Sequence, residues 1–341
     1  MSQLADHLAQ LTGHRDRDVL DTTLAAAIRD LLRPRRVAVH RCVGDEGAQR
    51  WLTRARLGAG DAAAEADPVW VELESLPRLE DFPTRMAALA QDGPVVTLGE
   101  SVVTVFPLAT DREVVGVVEI ESVVAIDPEH LRLVGSILRI YRNFQGLLDY
   151  SERDTLTGLL NRKTFDEAFY KISAAAHRDA QLAADRRLEH QPQHHFIGVI
   201  DIDHFKAVND SHGHLIGDEV LLLLSRLMRS SFRFHDRLYR FGGEEFVVLM
   251  RCGSAEDAGQ AFERLRANVQ AYKFPQVGTI TVSVGYTEVL AGDSPSGAFE
   301  RADKAVYWVK AHGRNRVCNL ADLLASGEAS DASKSGDVEL F

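Results

Sequence analysis

The hydrophobic pattern of the first 127 residues predicts a mixture of helices and strands. Leucine and isoleucine recur every three or four positions across residues 19–32, which predicts a helix with one apolar face. Residues 37–43 (VAVHRCV) are typical of a strand, and residues 101–108 and 113–123 predict the two strands of a hairpin. We therefore expect an α+β domain over residues 1–127.

A long helix is predicted over residues 128–153, joining two domains. Two series of positions seven residues apart run along it, and five of the six are apolar or aromatic: Val134, Tyr141, Leu148, then Ile137, Phe144 and Ser151. One interpretation is a parallel coiled-coil stalk between two copies of the chain. The other is a helix packed against its own domain. Two to three heptads do not decide between them.

A second α+β domain is predicted over residues 154–319. The apolar strand at residues 196–201 (FIGVID) ends in a carboxylate and runs into a helix start. Residues 237–241 and 244–250 predict two strands joined by Gly242-Gly243 as a two-residue turn. A polar segment over residues 175–195 is expected to be a helix end and a loop.

Composition and charge narrow the range of functions. The chain has 341 residues, with 39 Lys and Arg against 50 Asp and Glu, for a net charge of −11. This acidic balance argues against a nucleic-acid partner. Three separated cysteines exclude a disulfide scaffold, and neither a membrane span nor a leader is recognisable. We expect a cytoplasmic protein without a membrane partner, ending in a disordered acidic tail over residues 320–341.

Three acidic residues suggest a metal–phosphate site. Asp201 ends a strand and is followed by a helix start and Lys206, while Glu244 and Glu245 stand at the tip of an apolar hairpin. Acids at such a tip are costly unless a cation compensates them. Two oxygen ligands completed by substrate phosphates are a usual way of holding Mg²⁺. The alternatives are a helix cap at Asp201 and a solvated charged turn.

Four sequence blocks resemble one family. The residues 240–246 (RFGGEEF) resemble the signature of GGDEF-domain diguanylate cyclases in its GGEEF form. Residues 154–162 (DTLTGLLNR), 201–218 (DIDHFKAVNDSHGHLIGD) and 302–317 (ADKAVYWVKAHGRNRV) resemble the family's opening, middle and closing blocks, in the same order. The resemblance implies a fold similar to nucleotidyl cyclases and polymerase palms, with a central, mostly antiparallel sheet flanked by helices.

The resemblance also implies a reaction, in which two GTP condense to cyclic di-GMP and two pyrophosphates across a homodimer. Asp201, the carbonyl of Ile202 and Glu244 would hold two Mg²⁺ per active site, with Mn²⁺ as an alternative ion. Glu244 is also the implied proton acceptor and Glu245 its support, while Lys206 would stabilise charge in the transition state.

Further residues are implied in substrate and product binding. The guanine edge would be read by Asn209 and Asp218, with His214 at the lip of the pocket. Lys310 and Arg314 lie four apart, and on a helix they would share a face and grip the outer phosphates. The whole implied substrate set is Phe205, Lys206, Asn209, His214, Asp218, Gly242, Gly243, Lys310 and Arg314. An RxxD pattern, Arg233 to Asp236, resembles the family's inhibitory product site, and Arg264 is a second candidate arginine there.

Residues 1–127 resemble a GAF domain, chiefly through the hairpin between residues 106–108 and 119–121. This implies an antiparallel-sheet sensory or dimerisation domain with an unknown small ligand, acting through the long helix. We expect His40 and Cys42 to be ordinary core or surface residues, since no further ligands accompany them.

Three functions remain open from the sequence. The leading one is an active diguanylate cyclase, controlled by the N-terminal domain and by its product. The second is a catalytically silent GGDEF module that signals by binding. The third is a nucleotidyl transferase with another product, because the guanine contacts are implied by resemblance alone.

Overall fold

The structure is a computed structural model that describes residues 9, 11–13, 17–44, 47–68, 71–91, 93–109, 114–170, 172 and 194–328. Its chain divides into two compact units, Met1–Ser151 and Glu152–Phe341. Among the described residues, no helix combines the length and the apolar content that a bilayer crossing requires.

The first unit contains a five-stranded antiparallel sheet. Its strands are β1 (Arg36–Val43), β2 (Arg50–Gly58), β3 (Val95–Leu98), β4 (Val102–Ala109) and β5 (Val114–Ser122). Their order in the sheet is β2-β1-β5-β4-β3. The predicted hairpin is confirmed, because β4 and β5 pair antiparallel from Val102–Ser122 to Ala109–Val114. The turn between them lies outside the described residues.

Helices cover both faces of this sheet. The helices are α1 (Arg17–Leu32), α2 (Pro83–Ala90) and α3 (Pro128–Glu152). Because successive strand residues point to opposite faces, Val118 and Ile120 join the core beneath α1 and α3, while Val117 joins a second core with Trp51 and Ala88 of α2. The two cores fix the register of β5, since a one-residue shift would exchange them.

The apolar seam of helix α3 is buried within its own unit. Val134, Ile137, Tyr141 and Leu148 are buried in the core shared with α1 and the sheet. The Tyr141 hydroxyl also hydrogen-bonds Asp21 of α1, a contact that a coiled-coil position would not offer. The structure therefore shows the second interpretation, a helix packed on its own domain. A dimer stalk formed through this seam would have to pull α3 away from the first unit and expose that unit's core.

The second unit is built on a six-stranded mixed sheet. Its strands are β6 (Leu160–Asn161), β7 (His194–Ile202), β8 (Arg237–Arg240), β9 (Glu245–Cys252), β10 (Val282–Glu288) and β11 (Val317–Asn319). The order is β11-β10-β7-β9-β8-β6, and only the outer pairs β10–β11 and β6–β8 are parallel. The predicted mostly antiparallel central sheet is confirmed.

Helices flank this sheet on both sides. They are α4 (residues 162–170), α5 (Phe205–His212), α6 (His214–Ser231), α7 (Ala255–Ala271), α8 (Pro295–Ala311) and α9 (Leu320–Ala325). Apolar residues of α6 and α7 pack with one face of β7, β9 and β10. Helix α8 packs on the other face, where a Cβ on Gly285 would lie 2.4 Å from the Ala302 carbonyl oxygen. Only glycine allows this close approach.

Two expectations at the ends of segments need correction. The predicted disordered tail does not begin at residue 320, because α9 is folded and Leu320 and Leu323 are buried against Ala305. Two leucines three residues apart on a helix supply enough apolar surface to hold it there. Residues 329–341 lie outside the described residues. So does most of the polar segment 175–195, whose last two residues belong to β7.

We predict that burial of His40 makes the first unit acid-sensitive. Burial, followed by the charges of Arg85, Arg56 and Arg36, lowers the pKa of His40 to about 2 from 6.5. The unfolded state then binds the extra proton, so stability falls as pH drops below about 6.5, by at most about 1.4 kcal/mol per pH unit. Protection of β1 amides against hydrogen exchange, corrected for intrinsic rates, should fall between pH 7 and pH 5 in the full chain.

Two variants control this experiment. His40→Gln should flatten the pH dependence, because an amide does not titrate and can still bond the Thr53 hydroxyl that now lies 3.2 Å from Nδ1. His312→Gln, at an exposed position of the second unit, should leave the pH dependence of β1 protection as in the wild type. Equal pH slopes in wild type and His40→Gln would contradict the assignment.

Candidate active site

Strand register brings the acidic residues together at one end of the central sheet. Asp201 pairs with Glu245 of β9 on one side and with Ser283 of β10 on the other. Glu244 immediately precedes β9, so it stands at the same end. Adjacent residues of a sheet pair lie about 5 Å apart. The structure thus brings together the three acids that the sequence singled out.

Burial and mutual repulsion disfavour the negative charge of this cluster. The pKa of Asp201, which is 5% exposed, is raised mainly by burial, against the opposing effect of Lys310. Burial and then the charge of Asp201 raise the pKa of Glu244. Burial raises the pKa of Glu245 too, followed by the charges of Asp303 and Asp201. Carboxylates with pKa values perturbed by burial and by one another cluster at functional sites.

Asp303 is a fourth carboxylate of the site, which the sequence reasoning did not select. It lies on α8, seven residues before Lys310 and therefore two helical turns away on the same face. Burial raises its pKa, and Lys310 and Asp201 are the charges that act on it most. The seven-residue spacing to Lys310 was the signal that could have identified it.

Lys310 is the cation in direct contact with the cluster. Its Nζ lies 2.7 Å from Oδ2 of Asp201. Arg314 also lowers the pKa of Asp201 through its charge, but the prediction that it shares a helix face with Lys310 is wrong. Helix α8 ends at Ala311, and Gly313, with a φ of 102°, turns the chain away before Arg314.

The hairpin turn differs from the predicted two-residue turn. Strand β8 ends at Arg240, which pairs with Phe246, so the loop includes residues 241–244. Arg240 donates hydrogen bonds to the carbonyls of Gly242 (3.2 Å) and Gly243 (2.9 Å). This clamp holds a wider loop than a type I′ turn. Neither glycine has a positive φ, so their role here is to leave the backbone uncovered.

Arg240 also ties the loop to the opening block of the unit. Its Nη1 lies 3.0 Å from Oδ1 of Asp154. The same carboxylate oxygen accepts hydrogen bonds from the backbone amide and the hydroxyl of Thr157. The Arg240–Asp154 ion pair therefore links residues 86 positions apart in the sequence, and only the fold shows their connection.

Asp203 has a structural role that the sequence did not reveal. This buried carboxylate accepts hydrogen bonds from the hydroxyls of Thr281 and Ser283, both at 2.6 Å, and from the backbone amide of Asn315 at 3.1 Å. It thereby fixes the segment that carries Arg314 beside the end of β7.

The candidate guanine-reading residues lie around the α5–α6 junction. A Cβ on Gly217 would come within 1.9 Å of the Asn209 amide oxygen, so the Asn209 side chain packs directly on this glycine. His214 and Asp218 are one turn apart on α6, and both are exposed. The side chain of Phe205 lies in the core instead, so only its backbone is available to a ligand.

The charged residues of the expected inhibitory site act on the thiol of Cys252. Burial raises the pKa of Cys252 to about 11, with Asp236, Arg233 and Arg264 among the charges that act on it. The Arg233 amide donates to the Asp236 carboxylate at 2.9 Å, forming a tight turn. Arg264 is engaged locally, because it donates to the Ser231 carbonyl at 2.6 Å.

The donor set fits a divalent metal that binds oxygen. Hard oxygen donors are available from Asp201, Glu244 and the carbonyl of Ile202. The raised pKa values of Asp201 and Glu244 show that the protein's own cations do not fully balance the negative charge there. Within the described ranges, no three His, Cys, Asp or Glu side chains converge closely enough to form a metal site alone.

Comparisons with known proteins agree on the second unit. The family "Diguanylate cyclase, GGDEF domain" matches residues 151–316. The chain is 42% identical over 167 residues to diguanylate cyclase DgcP of Pseudomonas aeruginosa, covering 48% of this chain and 23% of that protein. It is 36% identical over 175 residues to diguanylate cyclase DgcZ of Escherichia coli, covering 50% and 54%.

Among solved structures, the GGDEF domain of DgcB from Caulobacter crescentus in complex with c-di-GMP is 32% identical, with a TM-score of 0.44, covering 50% of this chain and 96% of that one. The chain spans only 23% to 54% of the length of the two curated relatives above. The family match lies in the region of the four sequence blocks. The family match over residues 151–316, together with the acidic site that those blocks build, shows that the second unit belongs to the GGDEF domain family of diguanylate cyclases.

Proposed function

We propose that this chain is a diguanylate cyclase that condenses two GTP into cyclic di-GMP. In each half-reaction a 3′-oxygen attacks the α-phosphorus of the other GTP, and pyrophosphate leaves. The convergence of Asp201, Glu244 and Glu245 at the end of β7 and β9, beside Lys310, is the observation that carries the proposal. None of these groups is missing, which favours an active enzyme over a silent module.

Asp201, the Ile202 carbonyl and Glu244 would hold the divalent metal, with two Mg²⁺ per site proposed and Mn²⁺ as an alternative. When bound, the metal would neutralise phosphate charge and favour the 3′-alkoxide. The raised pKa of Glu244 suits it to accept the 3′-hydroxyl proton at a carboxylate oxygen. Glu245, one residue away, would add negative charge that keeps the metal in place.

The remaining site residues would bind and orient GTP. Asn209 and Asp218 would pair with the guanine edge, and His214 would lie at the lip of that pocket. Lys206 at the start of α5, with Lys310 and Arg314, would meet the phosphate charge. The uncovered backbone of Gly242-Gly243 and the amide of Phe205 would allow close approach of the nucleotide.

Two copies of the chain are needed, because each half-reaction uses two GTP sites. We place the contact on the outer face of α3, formed by Leu133, Ile140, Leu147 and Tyr150. These residues are exposed, and the first three repeat every seven positions. A repeat of seven is one of the two series that make a coiled-coil seam, and it lies about 100° around α3 from the seam that is buried in the first unit.

Regulation is proposed for both units. The order β2-β1-β5-β4-β3 with helices on both faces supports a GAF-like sensory role for the first unit, with a small ligand as its signal. The tight turn between Arg233 and Asp236, with Arg264 bonded to the Ser231 carbonyl that ends the preceding helix, supports a product-binding site that inhibits the enzyme. Purified chain incubated with GTP and Mg²⁺ should yield cyclic di-GMP, and ATP should not react. Another product from GTP would favour a different nucleotidyl transferase.

We predict that Glu244→Gln separates activity from stability. Turnover should fall at least about 10³-fold, since a metal ligand and proton acceptor is lost. The metal-free protein should be more stable by about 0.5–2 kcal/mol at neutral pH, since a repelled carboxylate becomes neutral. Initial rates of cyclic di-GMP formation and urea unfolding in EDTA would measure both effects.

Glu256→Gln provides the matched control for this variant, because Glu256 lies in the first turn of α7, outside the acidic cluster. It should leave the rate unchanged. A Glu244→Gln enzyme with wild-type turnover would remove Glu244 from the chemistry.

We predict that Gly217→Ala impairs GTP recognition. The new Cβ would displace the Asn209 amide, because it would lie only 1.9 Å from the amide oxygen. KM for GTP should rise about tenfold or more, consistent with the loss of a nucleobase hydrogen-bonding group. Gly135→Ala, at a helical glycine with open space around its Cβ, is the control and should behave as wild type. Equal KM values in both variants would contradict the placement of Asn209.

We predict that the outer face of α3 maintains the dimer. The double variant Ile140→Asp, Leu147→Asp should weaken self-association at least tenfold in sedimentation velocity, because charges would face each other across an apolar seam. Cyclic di-GMP formation at low enzyme concentration should fall in parallel. Leu290→Asp, at an exposed leucine of the second unit, serves as the control. A double variant with wild-type mass and rate would exclude this face.

A further inference from the structure

Lys310 holds a position that two different ligands would need. Its ammonium group contacts Oδ2 of Asp201 at 2.7 Å, on the carboxylate assigned to the metal. The same lysine is assigned to the outer phosphates of GTP. A divalent metal on Asp201 would compete with the ammonium group for the same carboxylate and would repel it, so the Lys310–Asp201 contact must loosen when the metal enters.

The charge of Lys310 serves the whole acidic cluster. It acts favourably on the ionised forms of Asp201, Glu244, Glu245 and Asp303 alike. Arg314 acts on Asp201 through its charge alone. Lys310 therefore contacts Asp201 directly, and its charge also reaches the other three carboxylates, while Arg162 acts on Glu245 alone among the four.

The packing of α8 explains why Lys310 reaches this site. The helix packs so closely on β10 that a Cβ added to Gly285 would lie 2.4 Å from the Ala302 carbonyl oxygen and from the Val306 amide nitrogen. Lys310 sits in the last turn of α8, and its side chain is 36% exposed. The backbone is thus fixed while the four-carbon side chain can move between Asp201 and solvent.

We propose that Lys310 is a built-in counter-ion that exchanges places with the divalent metal, so that metal entry releases its ammonium group for the substrate phosphates. The exchange makes metal and nucleotide binding mutually reinforcing. It rests on the proposed function for the identity of the ligands. The exchange itself involves only the chain and the metal, so it can be measured without turnover.

Acylation of lysines in the wild-type full chain, followed by mass spectrometry, tests the exchange directly. Lys310 should react slowly in EDTA and several-fold faster when Mg²⁺ alone is added, because the ion pair with Asp201 is broken. Lys304 on the same helix serves as the internal control and should not change. Reactivity of Lys310 that is insensitive to Mg²⁺, or that falls, would overturn the proposal.

A binding measurement supplies the second arm. Mn²⁺ alone, followed by electron paramagnetic resonance, should bind Lys310→Met at least tenfold more tightly than wild type, because no ammonium group competes for Asp201. Arg314→Gln removes one positive charge nearby without vacating the carboxylate, so its affinity should change by less than about threefold. Equal tightening in both variants would reduce the effect to net charge and overturn the exchange.

The two arms separate this proposal from the proposed function. If GTP yields no cyclic di-GMP while Lys310 still becomes reactive on Mg²⁺ addition, the exchange stands and the reaction assignment fails. If cyclic di-GMP forms while Lys310 remains unaffected by Mg²⁺, the reaction stands and the exchange fails.

Discussion

Concentrated negative charge at the end of β7 and β9 is the constraint on which the second unit depends. Carboxylates held together in a partly buried cleft repel one another and lose hydration, so they persist only with a cation nearby. Asp201, Glu244 and Glu245 are placed there by antiparallel pairing, whose register cannot shift without exchanging the residues that pack against the helices on the two faces of the sheet. The fold thus enforces an arrangement that the side chains alone would avoid.

Two polar clamps hold the segments that surround this charge. Arg240 binds the loop carbonyls and Asp154, which stiffens the hairpin from behind. Asp203 binds Thr281, Ser283 and the amide of Asn315, which fixes the chain after α8. Each clamp satisfies its polar groups almost completely, so neither needs a ligand to remain in place. The site is therefore rigid at its backbone, and Lys310 provides the adjustable part.

The first unit handles its polar groups differently. Asp21, Arg41 and Tyr141 form a buried network between α1, β1 and α3, and burial is the main reason that the pKa of Tyr141 is raised. Because removing one member would leave the others buried and unpaired, the network fixes α3 on the sheet. The apolar seam of α3 is thereby committed inside the unit, and its exposed leucines and isoleucine face outward.

The sequence by itself determined the order of elements, the acidic cluster and the four motif blocks, because these depend on local periodicity and on residue types at short spacing. It also indicated the hairpin of the first unit. Only the tertiary structure decided which side of α3 is buried, since both sides carry a seven-residue repeat and the choice depends on contacts with α1 and β1. The length of the 241–244 loop and the release of Arg314 from α8 also appeared only in the fold, and the roles of Arg240 and Asp203 depended on partners 80 to 112 residues away. Such contacts leave no periodic signal, because they follow from how the strands pair rather than from the residues beside them.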